Sequence, residues 1–380
     1  MSLFRPPPLD GKDRRAMEVV LDQHRELRYQ VAAPRRWMGL LRRIALARAV
    51  RGSNTIEGFT VTVDDAFAAL DDQEPADAED LAWHAVRGYR DAMTYVLQLA
   101  KRDSLPVNSE TILALHFMMQ QYDLEKWPGR WRPGQVFVFD GANEEIVYVG
   151  PDAELVPGLV DELVDELNTT DLKSAPLITA AMAHLNLVMI HPFKDGNGRM
   201  ARCLQTLLLA ASGTAAAPEL ASIEEYLGTH ELDYYRVLTE VGGGKWSPQR
   251  DTKPWIRFTL TAHHRQALRV ERRAAMAARL WMRAEDEIAK AKLPERCVQP
   301  LTYCLSGLYL RNSTYRQLVP EINQNVASRD LNELVKAGLL ATEGEKRGRR
   351  YIPSPTMRDV VLGFREEVNR RLPATGDPYE

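Results

Sequence analysis

The sequence has 380 residues, of which 45% are hydrophobic and 27% are charged, and its formal net charge is −3. This length allows two or three domains with a sizeable hydrophobic core. The small net charge excludes a general electrostatic preference for nucleic acid or for an acidic membrane surface, but it leaves room for a local basic patch.

The composition also bears on where the protein resides. No apolar run approaches the roughly 20 residues of a membrane span, and the N-terminal stretch MSLFRPPPLDGKDRR lacks the apolar segment of a signal peptide. The three cysteines, Cys203, Cys297 and Cys304, form no CxxC pair, so a disulfide framework or a thiolate metal site is not expected. We expect a cytoplasmic protein that has no membrane partner.

The first predicted elements are helices. Residues 35–53 and 81–102 place apolar side chains at helical spacing, without the alternation of a strand. The segment NSETILALHFMMQQY opens with an N-cap, either Asn108 or Ser109, and predicts a further helix.

A single β-hairpin is predicted next. Two alternating runs, 135–139 and 145–149, flank turn residues that include Gly141. Helical patterns then return over 154–168, 176–190 and 199–212, and a connecting helix is expected over about 260–292.

The stretch HPFKDGNGRMAR, residues 191–202, concentrates groups that bind anions. Gly196 and Gly198 flank Asn197 and allow backbone N–H groups to face a ligand. The N-terminus of the following helix adds its dipole and its unpaired donors. Arg199 and Arg202 lie three residues apart on one helix face, and guanidinium groups suit phosphate. The segment therefore predicts a polyphosphate cradle.

Two further residues of this stretch suit phosphoryl chemistry. Asp195 is a hard oxygen ligand of the kind that holds Mg²⁺, and His191 can accept a proton near neutral pH. Each residue alone is more often structural, because histidines at helix ends and arginines on helix faces are common. Their concentration within twelve residues favours a functional site.

The same stretch resembles the signature of the Fic family, H-[FP]-F-x-[DE]-G-N-G-R-x-x-R, at every defining position. The resemblance extends well over residues 108–262. It implies a mainly α fold, with a Fic helical core and a β-hairpin flap. It also implies transfer of AMP from ATP to a Ser, Thr or Tyr hydroxyl of a protein. The phosphorylating branch of the family usually has alanine where this chain has Gly196, which favours AMP transfer over phosphate transfer.

The resemblance assigns a role to each position of the signature. His191 would be the catalytic base, and Asp195 would hold Mg²⁺. The ATP phosphates would be bound by the positions Gly196, Asn197, Gly198, Arg199 and Arg202.

Two other segments match parts of the same family. The hairpin at 135–149 resembles the flap on which a protein substrate docks by main-chain pairing, and an ordinary structural hairpin is the alternative. The segment DYYRVL resembles one whose tyrosines line the nucleoside pocket, so Tyr234 and Tyr235 are candidates for nucleotide binding. The residues that follow, from Val241, do not supply the asparagine that some relatives carry there.

The segment SNTIEG, from Ser53 to Gly58, resembles the inhibitory helix of the family, [ST]-x-x-x-[EN]-[GN]. On a helix Ser53 and Glu57 would share one face. Glu57 would pair with Arg202 and keep it from the γ-phosphate, which implies an autoinhibited enzyme. In some relatives the same glutamate serves AMP removal, so a de-AMPylating enzyme stays an alternative.

The last residues predict a winged helix-turn-helix domain. The pattern predicts a helix over about 313–319 and a second helix that ends before Gly338. Two strands around a basic tip, the wing, are predicted after them. The basic residues that could meet DNA phosphates are Arg329, Lys346, Arg347, Arg349 and Arg350. Protein docking is the alternative use of such a domain.

We therefore divide the chain into four parts. They are an N-terminal helical region with the inhibitory helix (1–105), a Fic core (106–262), a connecting helix (263–295) and a winged-helix-like domain (296–380). The expected partners are ATP, a protein substrate, the chain itself through auto-AMPylation, and DNA. A DNA-binding regulator with a Fic core that acts mainly on itself is the other functional hypothesis. A homodimer is compatible with the sequence, but no residue indicates one.

Overall fold

The computed structural model describes residues 3–32, 35–73, 75, 78–102, 107–139, 145–214, 218–344, 349–372 and 376–380. Most of these residues are helical. The helices are α1 (Gly11–Ala32), α2 (Met38–Ile56), α3 (Val63–Ala69), α4 (Asp80–Leu99), α5 (Ser109–Gln120), α6 (Val156–Thr169), α7 (Pro176–Ile190), α8 (Asn197–Ala211), α9 (Pro218–Ala221), α10 (Glu224–Thr229), α11 (Glu231–Gly242), α12 (Lys253–Lys290), α13 (Val298–Leu305), α14 (Asn312–Leu318), α15 (Gln324–Lys336) and α16 (Pro355–Arg371). The strands are β1 (Phe137–Phe139), β2 (Ile146–Val149), β3 (Leu340–Glu343) and β4 (Arg350–Pro353).

The first hydrophobic core surrounds α7. Nearly every side chain of this helix is buried, including polar residues such as Asn186, as is typical of a helix that is covered on all sides. Helix α8 packs against it, and α4, α5, α6, α11 and the start of α12 complete the layer. The turn between α7 and α8 is the HPFKDG stretch, so the core itself holds the predicted site.

The predicted hairpin is confirmed. Strands β1 and β2 pair antiparallel, with Val138 opposite Tyr148. The hydroxyl of Tyr148 donates to the carbonyl of Met189 at 2.8 Å, which ties the hairpin to the end of α7. The side chains of Phe137 and Phe139 are exposed. The hairpin tip, residues 140–144, lies outside the described residues.

A second hydrophobic core joins α2 to the C-terminal unit, residues 296–380. It combines the first half of α2 with α3, the last half of α12 and helices α13 to α15. Asp64 at the start of α3 accepts hydrogen bonds from the Tyr309 backbone at 2.7 Å and from the Tyr303 hydroxyl at 3.3 Å. The sequence predicted a separate unit, but the structure places it on a core shared with α2.

The C-terminal unit contains the elements predicted from the sequence. Helices α14 and α15 are followed by the antiparallel pair β3 and β4, and Gly338 has the positive φ (71°) that ends α15. Arg350 pairs with Glu343 at 2.9 Å and lies over the ring of Tyr309 at 3.8 Å. Two of the basic residues predicted to meet DNA, Lys346 and Arg347, lie outside the described residues. The side chain of Arg329 is exposed.

Helix α12 runs unbroken over 38 residues and crosses the predicted boundary at residue 262. It begins at Lys253, about seven residues earlier than the amphipathic pattern indicated, because Pro254 and Trp255 form its first turn. Trp255 is fully buried in the first core, whereas Leu280 lies in the second. The helix therefore contributes to both cores. In the described part of the chain, no helix combines the length and apolar character needed to cross a membrane.

Helices α2 and α10 meet backbone to backbone. A Cβ atom added at Gly52 would lie 2.4 Å from the carbonyl oxygen of Glu224, and one at Gly228 would lie 2.7 Å from Gly52 Cα. Glycine at these two positions is what allows the contact, since a side chain at either would force the helices apart.

We expect Gly52→Ala to lower the free energy of unfolding by about 1–3 kcal/mol, the usual cost of overpacking. Urea denaturation measures the change. Gly39→Ala on the same helix is the matched control, because nothing lies within 4 Å of the added Cβ atom. That substitution should be neutral or stabilising, since alanine is the better helix former. Equal stability of the two variants would contradict the close contact.

Candidate active site

The HPFKDG turn depends on two residues with left-handed backbone. His191 ends α7 with φ 50° and Gly196 precedes α8 with φ 77°. A left-handed histidine is uncommon, because its Cβ crowds the backbone, whereas glycine adopts this conformation freely. The His191 N–H still donates to Leu187 O at 3.1 Å, which anchors the turn to the helix.

Asn197 closes the turn from inside. Its Oδ1 accepts from the Phe193 N–H at 2.9 Å, and its Nδ2 donates to the Phe193 carbonyl at 3.0 Å. The side chain is buried, so its hydrogen bonds hold the loop, and the backbone is left for a ligand. The first helical bond of α8 runs from Met200 N–H to Gly196 O. The N–H groups of residues 197–199 therefore form the open, anion-attracting end of the helix.

Asp195 is the acidic residue of the turn. Its Oδ1 accepts from the Gly196 N–H at 2.6 Å, and its Oδ2 lies 3.5 Å from the ammonium of Lys126. Burial would raise the pKa of Asp195, but Arg199, the Gly196 N–H and Lys126 hold it below its usual value. Among the described residues no cluster of three or more His, Cys, Asp or Glu side chains could hold a metal. One ionised carboxylate fits Mg²⁺, which takes its other ligands from phosphates and water.

Both arginines of the stretch are buried. Arg199 lies 5.4 Å over the ring of Phe59, and its NH1 donates weakly to the Tyr122 hydroxyl at 3.4 Å. Its Nε is buried without a hydrogen-bond partner among the described residues. Arg202 is 1% exposed, and its NH1 also lacks a partner in that part of the chain. Buried guanidinium groups with unused donors are suited to an anionic ligand.

The predicted contact between Glu57 and Arg202 is present. Oε1 of Glu57 accepts from NH2 of Arg202 at 2.7 Å. Ser53 accepts twice from the same guanidinium, with Oγ 2.8 Å from Nε and its carbonyl 3.0 Å from NH2. Burial alone would lower the pKa of Arg202, but the Glu57 carboxylate reverses this and raises it. Glu57 is the residue that follows the last turn of α2.

The position of Glu57 also depends on Gly198. A Cβ atom added at Gly198 would lie 2.5 Å from Glu57 Oε1 and 2.9 Å from Arg202 NH1. The carboxylate therefore packs directly over the first turn of α8, where the sequence predicts that phosphates bind.

His191 has the properties of a general base. Its Nδ1 lies 3.1 Å from the carbonyl of Val188, which can only accept, so Nδ1 carries the proton. Nε2 is then the free acceptor in the neutral ring. Burial and the neighbouring Arg132 lower the pKa of His191 below 6.5, which keeps the ring neutral at pH 7.

Comparison with known proteins agrees with this geometry. A model of the Fic/DOC family matches residues 106–209. The protein adenylyltransferase Fic of Nematostella vectensis is 28% identical over 254 residues, which cover 66% of this chain and 55% of that protein. The protein adenylyltransferase fic-1 of Caenorhabditis elegans is 27% identical over 263 residues, covering 68% and 46%. Residues 106–209 are therefore similar to the Fic/DOC family. The chain spans about half the length of these curated relatives.

Solved structures of Fic proteins share the fold. A Fic family protein from Desulfovibrio desulfuricans G20 aligns over 93% of this chain and 99% of its own, with a TM-score of 0.59 and 22% identity. Fic-1 from C. elegans aligns over 68% of this chain and 71% of its own, with a TM-score of 0.54 and 24% identity. The prediction of a mainly helical Fic fold with a β-hairpin flap is confirmed.

The two tyrosines predicted to bind the nucleotide occupy different environments in this structure. Tyr234 is buried, and its hydroxyl donates to His184 at 2.9 Å, so it does not line an open pocket. Its ring instead lies 6.0 Å from the guanidinium of Arg202 and supports that side chain. Tyr235 is 42% exposed, and its hydroxyl donates to the carbonyl of Ile56 at 2.9 Å. Tyr235 thus contacts the end of the helix that carries Glu57.

Sequence reasoning missed two residues that hold the HPFKDG turn. Arg132 donates from Nε to His191 O at 2.8 Å, and also to the carbonyls of Gly134 and Pro151. It joins this turn to the base of the hairpin. The nearby pattern WRPG gives no sign of this, because the contact spans about sixty residues of sequence.

His116 is the second missed residue, because no motif of the sequence includes it. Its Nδ1 accepts from the Gly129 N–H and its Nε2 donates to Asp195 O, both at 3.0 Å. Its ring stacks on Phe193 at 3.7 Å. Burial lowers the pKa of His116 to about 4, so the neutral ring keeps both hydrogen bonds at pH 7. It is a structural residue that positions the site.

We expect His116→Ala to lower the free energy of unfolding by about 2 kcal/mol or more, because it removes two buried hydrogen bonds and a stacked ring. Urea denaturation measures this change. His84→Ala, on the exposed face of α4, is the matched control and should change stability little. Equal losses in the two variants would contradict the positioning role.

Proposed function

We propose that this chain is a protein adenylyltransferase that transfers AMP from ATP to a hydroxyl of a protein. The observation that carries the proposal is the turn between α7 and α8, where a neutral histidine base, an ionised carboxylate and two buried arginines surround an open helix N-terminus. The relatives named protein adenylyltransferase support the same reaction.

In this reaction the hydroxyl oxygen attacks the α-phosphorus of ATP, the new P–O bond forms, and the bond to the β-phosphate breaks with release of pyrophosphate. His191 Nε2 accepts the proton of the attacking hydroxyl. The N–H groups at the start of α8, with Arg199, bind the phosphates, and Arg202 binds the γ-phosphate once Glu57 leaves it. Asp195 would hold Mg²⁺, whose charge offsets that of the phosphates.

The hairpin is the proposed docking site for the protein substrate. Strands β1 and β2 form a two-stranded sheet, so a substrate segment can add to an edge by main-chain hydrogen bonds. The exposed rings of Phe137 and Phe139 offer apolar contacts beside that edge. Arg132 links this hairpin to His191, which supports docking of the substrate hydroxyl near the proposed base.

We also propose that Glu57 inhibits the enzyme. Its carboxylate occupies the guanidinium donor that a γ-phosphate needs, and it packs over Gly198, where the phosphates approach the helix. ATP bound beside Glu57 would be displaced from in-line geometry, and a displacement of about 1 Å can lower the rate about 10²-fold.

Glu57→Gly should therefore raise auto-AMPylation by about 10-fold to 100-fold, measured as label transferred to the chain from ATP labelled on the α-phosphate. The comparison uses ATP labelled on the γ-phosphate, from which no label should transfer. His191→Ala in the Glu57→Gly background should abolish transfer. A Glu57→Gly variant that is no more active than the wild type would refute inhibition, and transfer from the γ-phosphate would refute AMP transfer.

The pKa of His191 predicts the pH dependence. The base must be neutral, and its pKa in the folded protein is lowered below 6.5, so protonation removes activity only as the pH falls beneath that value. We expect kcat/KM of the Glu57→Gly variant to be constant above pH 7 and to decrease at lower pH with a midpoint below 6.5. A midpoint above 6.5 would mean that another group acts as the base.

De-AMPylation, DNA binding through the C-terminal unit, homodimer formation and a cytoplasmic location stay predictions. Within the described residues, Arg350 is engaged by Glu343 and Tyr309, which leaves Arg329 and Arg349 as the exposed cations of the predicted DNA-binding face.

A further inference from the structure

A cavity of about 310 Å³ lies where the inhibitory helix meets the C-terminal unit. One wall is formed by Trp37, which precedes α2, and by Leu40, Leu41, Ile44 and Arg48 of α2. The opposite walls come from α12, α13 and α16 and include Met276, Leu280, Leu305 and Val361. This is within the size range of small-molecule sites, which are mostly apolar with a few polar groups.

Five arginines line this cavity, and none of the described residues that line it is acidic. The five are Arg48, Arg269, Arg272, Arg273 and Arg365. Four of them are half-buried, and Arg365 is exposed at the rim. Guanidinium groups this close together repel each other, and an anion bound among them offsets that repulsion.

One carboxylate, Glu225 at the start of α10, contacts two of the arginines. Arg273 binds it through both terminal nitrogens, and Arg48 lies 3.7 Å from it. Burial would raise the pKa of Glu225, but Arg273 and Arg48 hold it low, so the carboxylate stays ionised. Glu225 thus offsets about one of the positive charges and leaves the cluster cationic.

Arg48 and Arg269 have donors available to a ligand. Arg48 Nε is buried without a hydrogen-bond partner among the described residues. Within that part of the chain Arg269 makes one hydrogen bond, to Thr229 at 3.2 Å, and lies over the ring of Tyr226 at 5.2 Å. Burial, together with the charge of Arg273, lowers the pKa of Arg48, as expected where cations crowd in a dry site.

We propose that this cavity binds a small amphiphilic anion. A phosphate or carboxylate head would be held by the guanidinium groups, which match both geometries, and an apolar body would pack against Leu40, Leu41 and Ile44 of α2. The five arginines supply the charge complementarity, and the apolar walls exclude a purely polar ion as the preferred ligand.

The site is connected to the active site by one continuous helix. Helix α2 is unbroken from Met38 to Ile56. Its first half contributes to the cavity wall, and the Ser53–Glu57 segment lies at its other end. The cavity is formed in the arrangement that has Glu57 on Arg202. A ligand that fits this arrangement stabilises it over any in which α2 has moved. The anion therefore strengthens inhibition, a consequence that rests on the proposed function.

Binding is tested on the full chain by isothermal titration calorimetry with four probes: octyl phosphate, octanoate, octanol and inorganic phosphate. We expect one or both amphiphilic anions to bind, with octanol and inorganic phosphate at least tenfold weaker. A preference between octyl phosphate and octanoate assigns the head group. Octanol binding as tightly as the anions would overturn the role of the arginines. Inorganic phosphate binding as tightly as octyl phosphate would overturn the apolar subsite, and no binding of any probe at millimolar concentration would overturn the site.

Two variants on α16 test whether the anion binds in the cavity or by general electrostatic attraction. Arg365→Gln removes a lining arginine and should weaken the tighter anion about tenfold. Arg370→Gln, five residues on and outside the lining, removes the same charge and should leave the affinity unchanged. Equal weakening in the two variants would mean that the anion binds by general attraction and would refute the cavity.

The link to α2 is tested by activity. The bound anion should lower wild-type auto-AMPylation by about fivefold or more, a common size of coupling, and leave the Glu57→Gly variant unchanged. Equal inhibition of both, or activation of the wild type, would refute coupling through α2. If neither protein transfers AMP, the proposed function fails, while the calorimetry still decides whether the cavity binds the anion.

Discussion

The ion pair between Arg202 and Glu57 is the interaction on which the active-site region depends. Arg202 is 1% exposed, and a buried guanidinium without an anionic partner costs several kcal/mol. Ser53 supplies two neutral acceptors, and Glu57 supplies the charge. The site therefore needs an anion in every state, and in the proposed mechanism the carboxylate and the γ-phosphate alternate in that place.

The rest of the turn is held by hydrogen bonds that do not involve Glu57. The side chain of Asn197 hydrogen-bonds the backbone of Phe193 inside the loop. His116 donates a hydrogen bond to the carbonyl of Asp195, and Arg132 donates one to the carbonyl of His191. These side chains use up the internal hydrogen-bonding capacity of the turn. The open N–H groups of α8 and the unused donors of the arginines are left facing the ligand, which is the arrangement that preorganised electrostatic stabilisation requires.

Helix α2, which carries Ser53 and ends beside Glu57, contributes to both hydrophobic cores. Its last turns pack in the same core as α7 and α8, and its first turns pack against α12 and the C-terminal unit. The close approach of Gly52 to α10 holds the middle of the helix. Helix α2 therefore connects the C-terminal unit to Glu57, and residues of its first half line the arginine-rich cavity.

The sequence alone determined the chemistry of the turn, since the residues of HPFKDGNGRMAR are contiguous and short-range geometry follows from glycine, proline and helix rules. The helices and the hairpin followed from hydrophobic periodicity in the same way. The pairing of Glu57 with Arg202 spans 145 residues, and only the resemblance to a known family predicted it.

The tertiary structure alone decided the contacts that join distant segments. His116 and Arg132 belong to no local pattern, and the burial of Tyr234 behind Arg202 cannot be read from the DYYRVL segment. The second core and its cationic cavity arise because α2, α12 and the C-terminal unit each leave an amphipathic face to be covered. Periodicity shows that such a face exists, but which other face covers it is set by long-range packing.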